Sequence, residues 1–195
     1  MVRHRFHIAV VVLLAVGGLV VSRMAPVRHR MASLLGGPVI ALPTPQERAP
    51  FTVDFMLPDM AGNVVRLFDL RGRPILLNIW ATWCYPCRAE MPSMQALYQD
   101  YQAQGLAIVA IATDVEGKPV VAPFLQAYRL TFTVLLDPQN MLGAQLQVPG
   151  LPTSYVLDKR GRIAYFEIGA HNWNSRPIRH LLDQLLAEDG RGTTP

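Results

Sequence analysis

The chain has 195 residues, 51% of them hydrophobic, enough for one globular domain with a real core and an appendage; no second domain is required. The net charge of +4 is unevenly placed, because residues 1–48 carry six Arg and one Glu while residues 49–195 carry twelve Lys and Arg against thirteen Asp and Glu. The folded part is nearly neutral and lacks the basic stripe that nucleic-acid binding requires, so no nucleic-acid partner is expected.

Residues 1–22 open with a short basic start, followed by the uncharged run Ile8–Val21. This predicts a membrane-targeting segment, an uncleaved anchor rather than a removed signal peptide, since no clear small-x-small site follows. The arginines on either side of it do not choose an orientation. Residues 23–50 read as a linker, broken by Pro26, Pro38, Pro43, Pro45, Pro50 and Gly36-Gly37.

The domain is expected over 51–190, with 191–195 a disordered tail. Alternation at Phe51–Phe55 and Val64–Leu67 around the turn Asp59–Asn63 predicts an N-terminal β-hairpin. A buried strand follows at Ile75–Trp80. Met94, Leu97, Tyr98 and Tyr101 mark a helix, Leu106–Ala112 a strand and Val121, Phe124, Leu125 and Tyr128 a second helix. Thr133–Leu136 reads as a strand and Asn140–Gln147 as a short helical piece. Thr153–Leu157 and Arg162–Ile168 form an antiparallel hairpin, and Ile178, Leu181, Leu182, Leu185 and Leu186 a closing amphipathic helix. This order predicts an α/β domain, a central mixed β-sheet flanked by helices.

The only two cysteines, Cys84 and Cys87, lie with two residues between them where the strand meets the first helix. Cysteines so spaced can close a disulfide within one turn, which makes a dithiol redox site the leading reading. Cys84 at the helix start would have its thiolate favoured by free N–H groups and the helix dipole, as attack on a disulfide requires. Cys87, one turn further in, would resolve the mixed disulfide. Pro86 suits a first-turn position that needs no N–H, and Tyr85, between the sulfurs, should tune the redox poise.

Half of a zinc site would need about two more ligands, but His171 and His180 are not at ligand-pair spacing, and no metal is expected. Glu90 shares a helix face with Cys87 and could move protons for the buried thiol, or could be an acid that stabilises a helix N-terminus. Asn78, polar in an apolar strand, is a satisfied structural amide or a hydrogen-bonding group near the site. Pro92 should kink the helix. Pro152 precedes a strand, where a cis bond, the less common state, could form a tight turn.

Asn78-Ile-Trp-Ala-Thr-Trp-Cys-Tyr-Pro-Cys-Arg-Ala-Glu-Met-Pro92 and Gly150-Leu-Pro-Thr-Ser-Tyr-Val-Leu-Asp158 together resemble the thioredoxin superfamily, in particular its TlpA/ResA-like, DsbE-related, membrane-anchored thiol–disulfide oxidoreductases. The resemblance runs from about Phe51 to Leu186. It implies a thioredoxin-like fold with an insertion at 117–147, Cys84 as the attacking cysteine, Cys87 as the resolving one and Pro152 as a cis-proline facing them. Asn78 stands where thioredoxin has a buried aspartate, and Glu90 matches a glutamate that ResA-like members use near the dithiol. Trp83 and Tyr85 flank the site, and Leu151 and Thr153 would offer backbone groups to an extended substrate.

The resemblance further implies an extracytoplasmic domain on a single anchor with its N-terminus inside. It implies reduction of protein disulfides, with apocytochrome c as the best-known family substrate, and a membrane electron donor of the DsbD/CcdA type. No cofactor beyond the Cys84–Cys87 disulfide is expected, and the protein is expected to be a monomer. The competing readings are a thioredoxin-fold binding module, against which the intact CxxC argues, and copper delivery, for which a CxxxC would be expected. A peroxidase would need a different cysteine setting.

Overall fold

The computed structural model describes residues 40–188. The candidate anchor at 1–22, the first part of the linker and the tail at 191–195 lie outside the described residues; among the described residues no helix is long and apolar enough to cross a membrane.

A two-stranded antiparallel sheet, β1 (Met56–Pro58) and β2 (Val64–Arg66), precedes the main sheet. The main elements then follow in order: β3 (Ile75–Trp80), α1 (Tyr85–Tyr101), β4 (Ala107–Ala112), α2 (Lys118–Tyr128), β5 (Thr133–Leu136), α3 (Met141–Gln145), β6 (Thr153–Leu157), β7 (Ile163–Ile168) and α4 (Arg176–Ala187). The five-stranded sheet has the order β5-β4-β3-β6-β7. β3, β4 and β5 run parallel, whereas β6 pairs antiparallel with both β3 and β7, so the sheet is mixed as expected. The segment expected as an insertion supplies β5 and the helices on either side of it.

Successive side chains of a strand point to opposite faces, and β3 is buried on both. Ile75, Leu77 and Ile79 join Phe51, Phe55, Val109, Ile111 and Leu135 on one side. Leu76 and Trp80 join Met91, Met94 and Leu97 of α1 and Leu181, Leu182 and Leu185 of α4 on the other. Asn78 lies between Leu76 and Trp80 in the strand, which turns its amide towards α1. Ser154 is its antiparallel neighbour on β6. This placement of two polar residues under α1 builds the site.

Two expectations need correction. The first strand of the small sheet is Met56–Pro58 rather than 51–55, because Phe51 and Phe55 are used as core residues. Residues 51–55 bond instead outside the small sheet, Phe51 N–H donating to Gly161 O and Leu67 N–H to Phe55 O. The domain also begins before Phe51. Ile40 and Leu42 pack on the core, Pro50 bridges to Arg162, and Ile163 N–H donates to Ala49 O.

Arg48 anchors this entry segment. Its side chain is 1% exposed and meets Asp158, 2% exposed, at 3.0 Å, and it forks onto Glu188 at 2.6 and 2.8 Å. The prolines that make 43–50 look like a linker only prevent regular structure there; buried charge holds the segment in place. Removing one member of a buried pair leaves the other unpaired, although Asp158 keeps the Arg160 and Arg162 N–H donors. Arg48→Met should therefore lower the unfolding free energy by about 3 kcal/mol, read from urea titrations. A loss below about 1 kcal/mol, as for an exposed pair, would show that the clamp contributes little.

Candidate active site

The α1 helix begins with Cys84 as its N-cap and Pro86 in its first turn. Cys84 and Cys87 form a disulfide with a Cα–Cα distance of 5.3 Å. Cys84 Sγ accepts the Cys87 backbone N–H at 3.2 Å, one of the otherwise unpaired donors of a helix N-terminus. The same N–H and the helix dipole would favour a Cys84 thiolate once the disulfide is reduced. Cys84 is 5% exposed and Cys87 fully buried, so of the two only Cys84 has any surface open to another molecule. Trp83 and Tyr85, 69% and 80% exposed, stand on either side of it. Thr82 holds the approach to the helix, donating its N–H and hydroxyl to the buried Asp114.

Glu90 lies one turn after Cys87 within the buried stripe Cys87, Met91, Met94, Leu97 of α1, and is itself buried. Its carboxylate accepts three hydrogen bonds. Asn78 Nδ2 donates to Oε1 at 2.8 Å, and the His171 backbone N–H and Trp173 Nε1 donate to Oε2 at 3.1 and 2.8 Å. Asn78 Nδ2 also donates to Ser154 Oγ at 2.8 Å. Burial pushes the Glu90 carboxyl above the ordinary carboxylate range; the Trp173, His171 and Asn78 donors pull it back in that order, and the charge of Glu167 adds to the rise. A carboxyl so placed can hold a proton nearer to neutrality than a free one can.

The Leu151–Pro152 peptide is cis. Thr153 follows it and pairs with Ile79 near the end of β3, which places Pro152 at the same end of the sheet as the disulfide. Pro152 O is taken by the Gly169 N–H at 2.8 Å. Thr153 is fully buried, lies between Ile79 and Ile168 in the sheet and turns its hydroxyl back to Gly150 O. Leu151, on the other side of Pro152, is half-buried.

The site thus gathers Cys84, Cys87, Glu90 and Asn78, while His171 contributes a backbone N–H rather than its ring. Trp173, Ser154 and Asp114 were not singled out by sequence reasoning. Asp114 alone had a local signal, as an acid directly after an apolar strand. The α1 helix continues through Pro92 as one helix.

Solved structures share this fold. The thiol:disulfide interchange protein DsbE from Chlorobium tepidum superposes with a TM-score of 0.66 at 30% identity, over 72% of this chain and 99% of that one. StoA from Bacillus subtilis superposes with a TM-score of 0.53 at 26% identity, over 61% and 90%. These place the domain in the thioredoxin-like class. The chain belongs to the AhpC/TSA family, whose model matches residues 45–166. Within the family it is similar to the thiol-disulfide oxidoreductase ResA of Geobacillus thermodenitrificans, at 42% identity over 110 residues, 56% of this chain and 63% of the relative. It is also 40% identical over 118 residues to the thioredoxin-like protein YneN of Bacillus subtilis, covering 60% of this chain and 68% of the relative. The match to ResA thus spans less than two thirds of that protein's length.

Proposed function

We propose that this protein is an extracytoplasmic thiol–disulfide oxidoreductase that reduces protein disulfides, held to the cytoplasmic membrane by residues 1–22. The observation that carries this reading is the Cys84–Cys87 pair at the start of α1, with Cys84 the more exposed of the two, the exposed Trp83 and Tyr85 next to it, and a buried carboxyl one turn behind. The relatives named as thiol-disulfide oxidoreductases support it.

In the reduced protein the Cys84 thiolate attacks one sulfur of a substrate disulfide. A Cys84–substrate disulfide forms, and the other substrate sulfur leaves as a thiolate. Cys87 then gives its proton to Glu90 and attacks Cys84 Sγ. The second substrate thiolate departs and takes up a proton, so the substrate gains two electrons and the Cys84–Cys87 disulfide is restored. A dithiol of the DsbD/CcdA type in the membrane returns the electrons. Cysteines of an apocytochrome c awaiting haem are the proposed substrate, an extended segment lying beside Leu151 and the cis-proline.

A redox titration of Cys84–Cys87 in glutathione and dithiothreitol buffers tests the direction. A potential near that of thioredoxin, about −270 mV, is expected; a value near about −120 mV, that of a strong oxidant, would overturn the reductant assignment.

A further inference from the structure

The segment from Gly169 to Ser175 joins β7 to α4 and touches both halves of the site. Its Gly169 N–H bonds the carbonyl of the cis-proline, and its His171 N–H bonds Glu90. Trp173 anchors it twice. The Trp173 backbone N–H donates to Ser93 Oγ at 3.0 Å, and that hydroxyl donates to Glu90 O at 2.7 Å. The indole Nε1–H donates to Glu90 Oε2 at 2.8 Å, with the ring fully buried.

A buried indole N–H is commonly paired, yet in this core Trp80 Nε1 has no partner while Trp173 Nε1 has one. Here the partner is a carboxylate oxygen that already receives the His171 amide. Oε2 therefore has two donors and Oε1 one, Asn78 Nδ2. A carboxylate oxygen accepts about two hydrogen bonds readily, so the two oxygens are not equivalent towards a proton.

We propose that Trp173 is a positioning residue for Glu90: with the His171 amide it fills Oε2 and fixes the carboxyl rotamer, leaving Oε1 as the atom that takes and returns the proton. The inference deepens the role given above to Glu90 and rests on it. The charged or titratable groups around Glu90 are Cys87 on its own helix, Glu167 on β7, and His171 with Tyr165 next to Glu167. His171 Nδ1 lies 3.6 Å from Glu167, and the Tyr165 hydroxyl donates to the same carboxylate. None of these reaches Glu90 Oε2 with a side-chain donor as Trp173 does.

The test is a carboxyl ¹³C NMR titration of Glu90 in the oxidised protein and in Trp173→Phe, which keeps an aromatic ring and deletes the N–H. Losing a donor to the charged form should raise the Glu90 midpoint by about one pH unit. The pH profile of mixed-disulfide release should move to alkaline pH by the same amount. A space-filling role would cost stability and leave the Glu90 midpoint where it was, and that result overturns the proposal. Should Trp173→Phe fail to fold, the Trp173 indole ¹⁵N–H resonance of the wild-type protein serves instead: it must shift with the Glu90 midpoint, and an indole signal that ignores it overturns the proposal. The two NMR readouts are independent of turnover. A coupled indole in a protein without reductase activity would sink the proposed function and leave the positioning role standing.

Discussion

Cys84→Ser should reduce disulfide-reductase turnover on the order of a thousandfold or more, whereas Cys87→Ser should stop the reaction halfway, with substrate bonded to Cys84. The asymmetry follows from position. Cys84 is the N-cap, with the Cys87 N–H directed at its sulfur, and it keeps some exposed surface. Cys87 is fully enclosed and can react only with what Cys84 brings to it. Intact-mass analysis of each variant after exposure to a disulfide substrate reads the outcome, as an adduct on Cys87→Ser and none on Cys84→Ser. An adduct through Cys87, or turnover surviving in Cys84→Ser, would reverse the assignment of attacking and resolving sulfurs.

Glu90→Gln should slow release of the mixed disulfide by roughly a hundredfold at neutral pH, the contribution typical of a positioned proton acceptor. The first attack, which does not use Glu90, should be nearly unchanged. Rapid-quench sampling separates the two steps, and equal slowing of both would return Glu90 to a structural role. The same residue sets a pH signature in stability. In the unfolded chain its carboxyl titrates near the ordinary value of about 4.3, and in the folded protein burial holds it higher. Below the ordinary value both states are protonated and there is no difference. As pH rises beyond it, the unfolded chain releases the proton that the folded protein still holds, so stability falls until the folded carboxyl also ionises and then levels off. Glu90→Gln removes that slope. It also replaces an acceptor with an NH₂ group facing a donor, a pH-independent loss of about 1–3 kcal/mol. Urea titrations across the acid range distinguish slope from offset.

How much of this was legible in the sequence depends on how far each signal reaches along the chain. The unbroken apolar run at Ile75–Trp80 and the helical spacing after Pro92 marked β3 and α1, because each element buries its own faces. Cys84, Cys87 and Glu90 are spaced within one helix, so their common face could be read directly. Asn78 could be recognised as out of place in its strand, but its partners lie 12 and 76 residues away. The donors from His171 and Trp173 come from 81 and 83 residues further on and have no local mark. Alternation at Phe51–Phe55 signalled buried aromatic side chains, but a segment outside any strand can bury two phenylalanines with the same spacing. The prolines of 43–50 signal the absence of helix and strand, which a linker and a packed irregular segment share. The cis state of Pro152 entered through the family resemblance, since an X-Pro bond carries no such information by itself.

Arg48 has a further consequence. The guanidinium joins residues 140 apart, the entry strap and Glu188 beyond α4, and it does so beside the β6–β7 turn. Cys84 follows the other end of β3, a strand of six residues or about 20 Å away. The described chain is therefore closed almost into a ring, fastened at the pole remote from its chemistry. Fraying that starts from either side meets the same buried cation before it can reach β3 or α1. Opening of the chain ends and exchange of electrons at the dithiol are thereby kept as separate events, each with its own free energy.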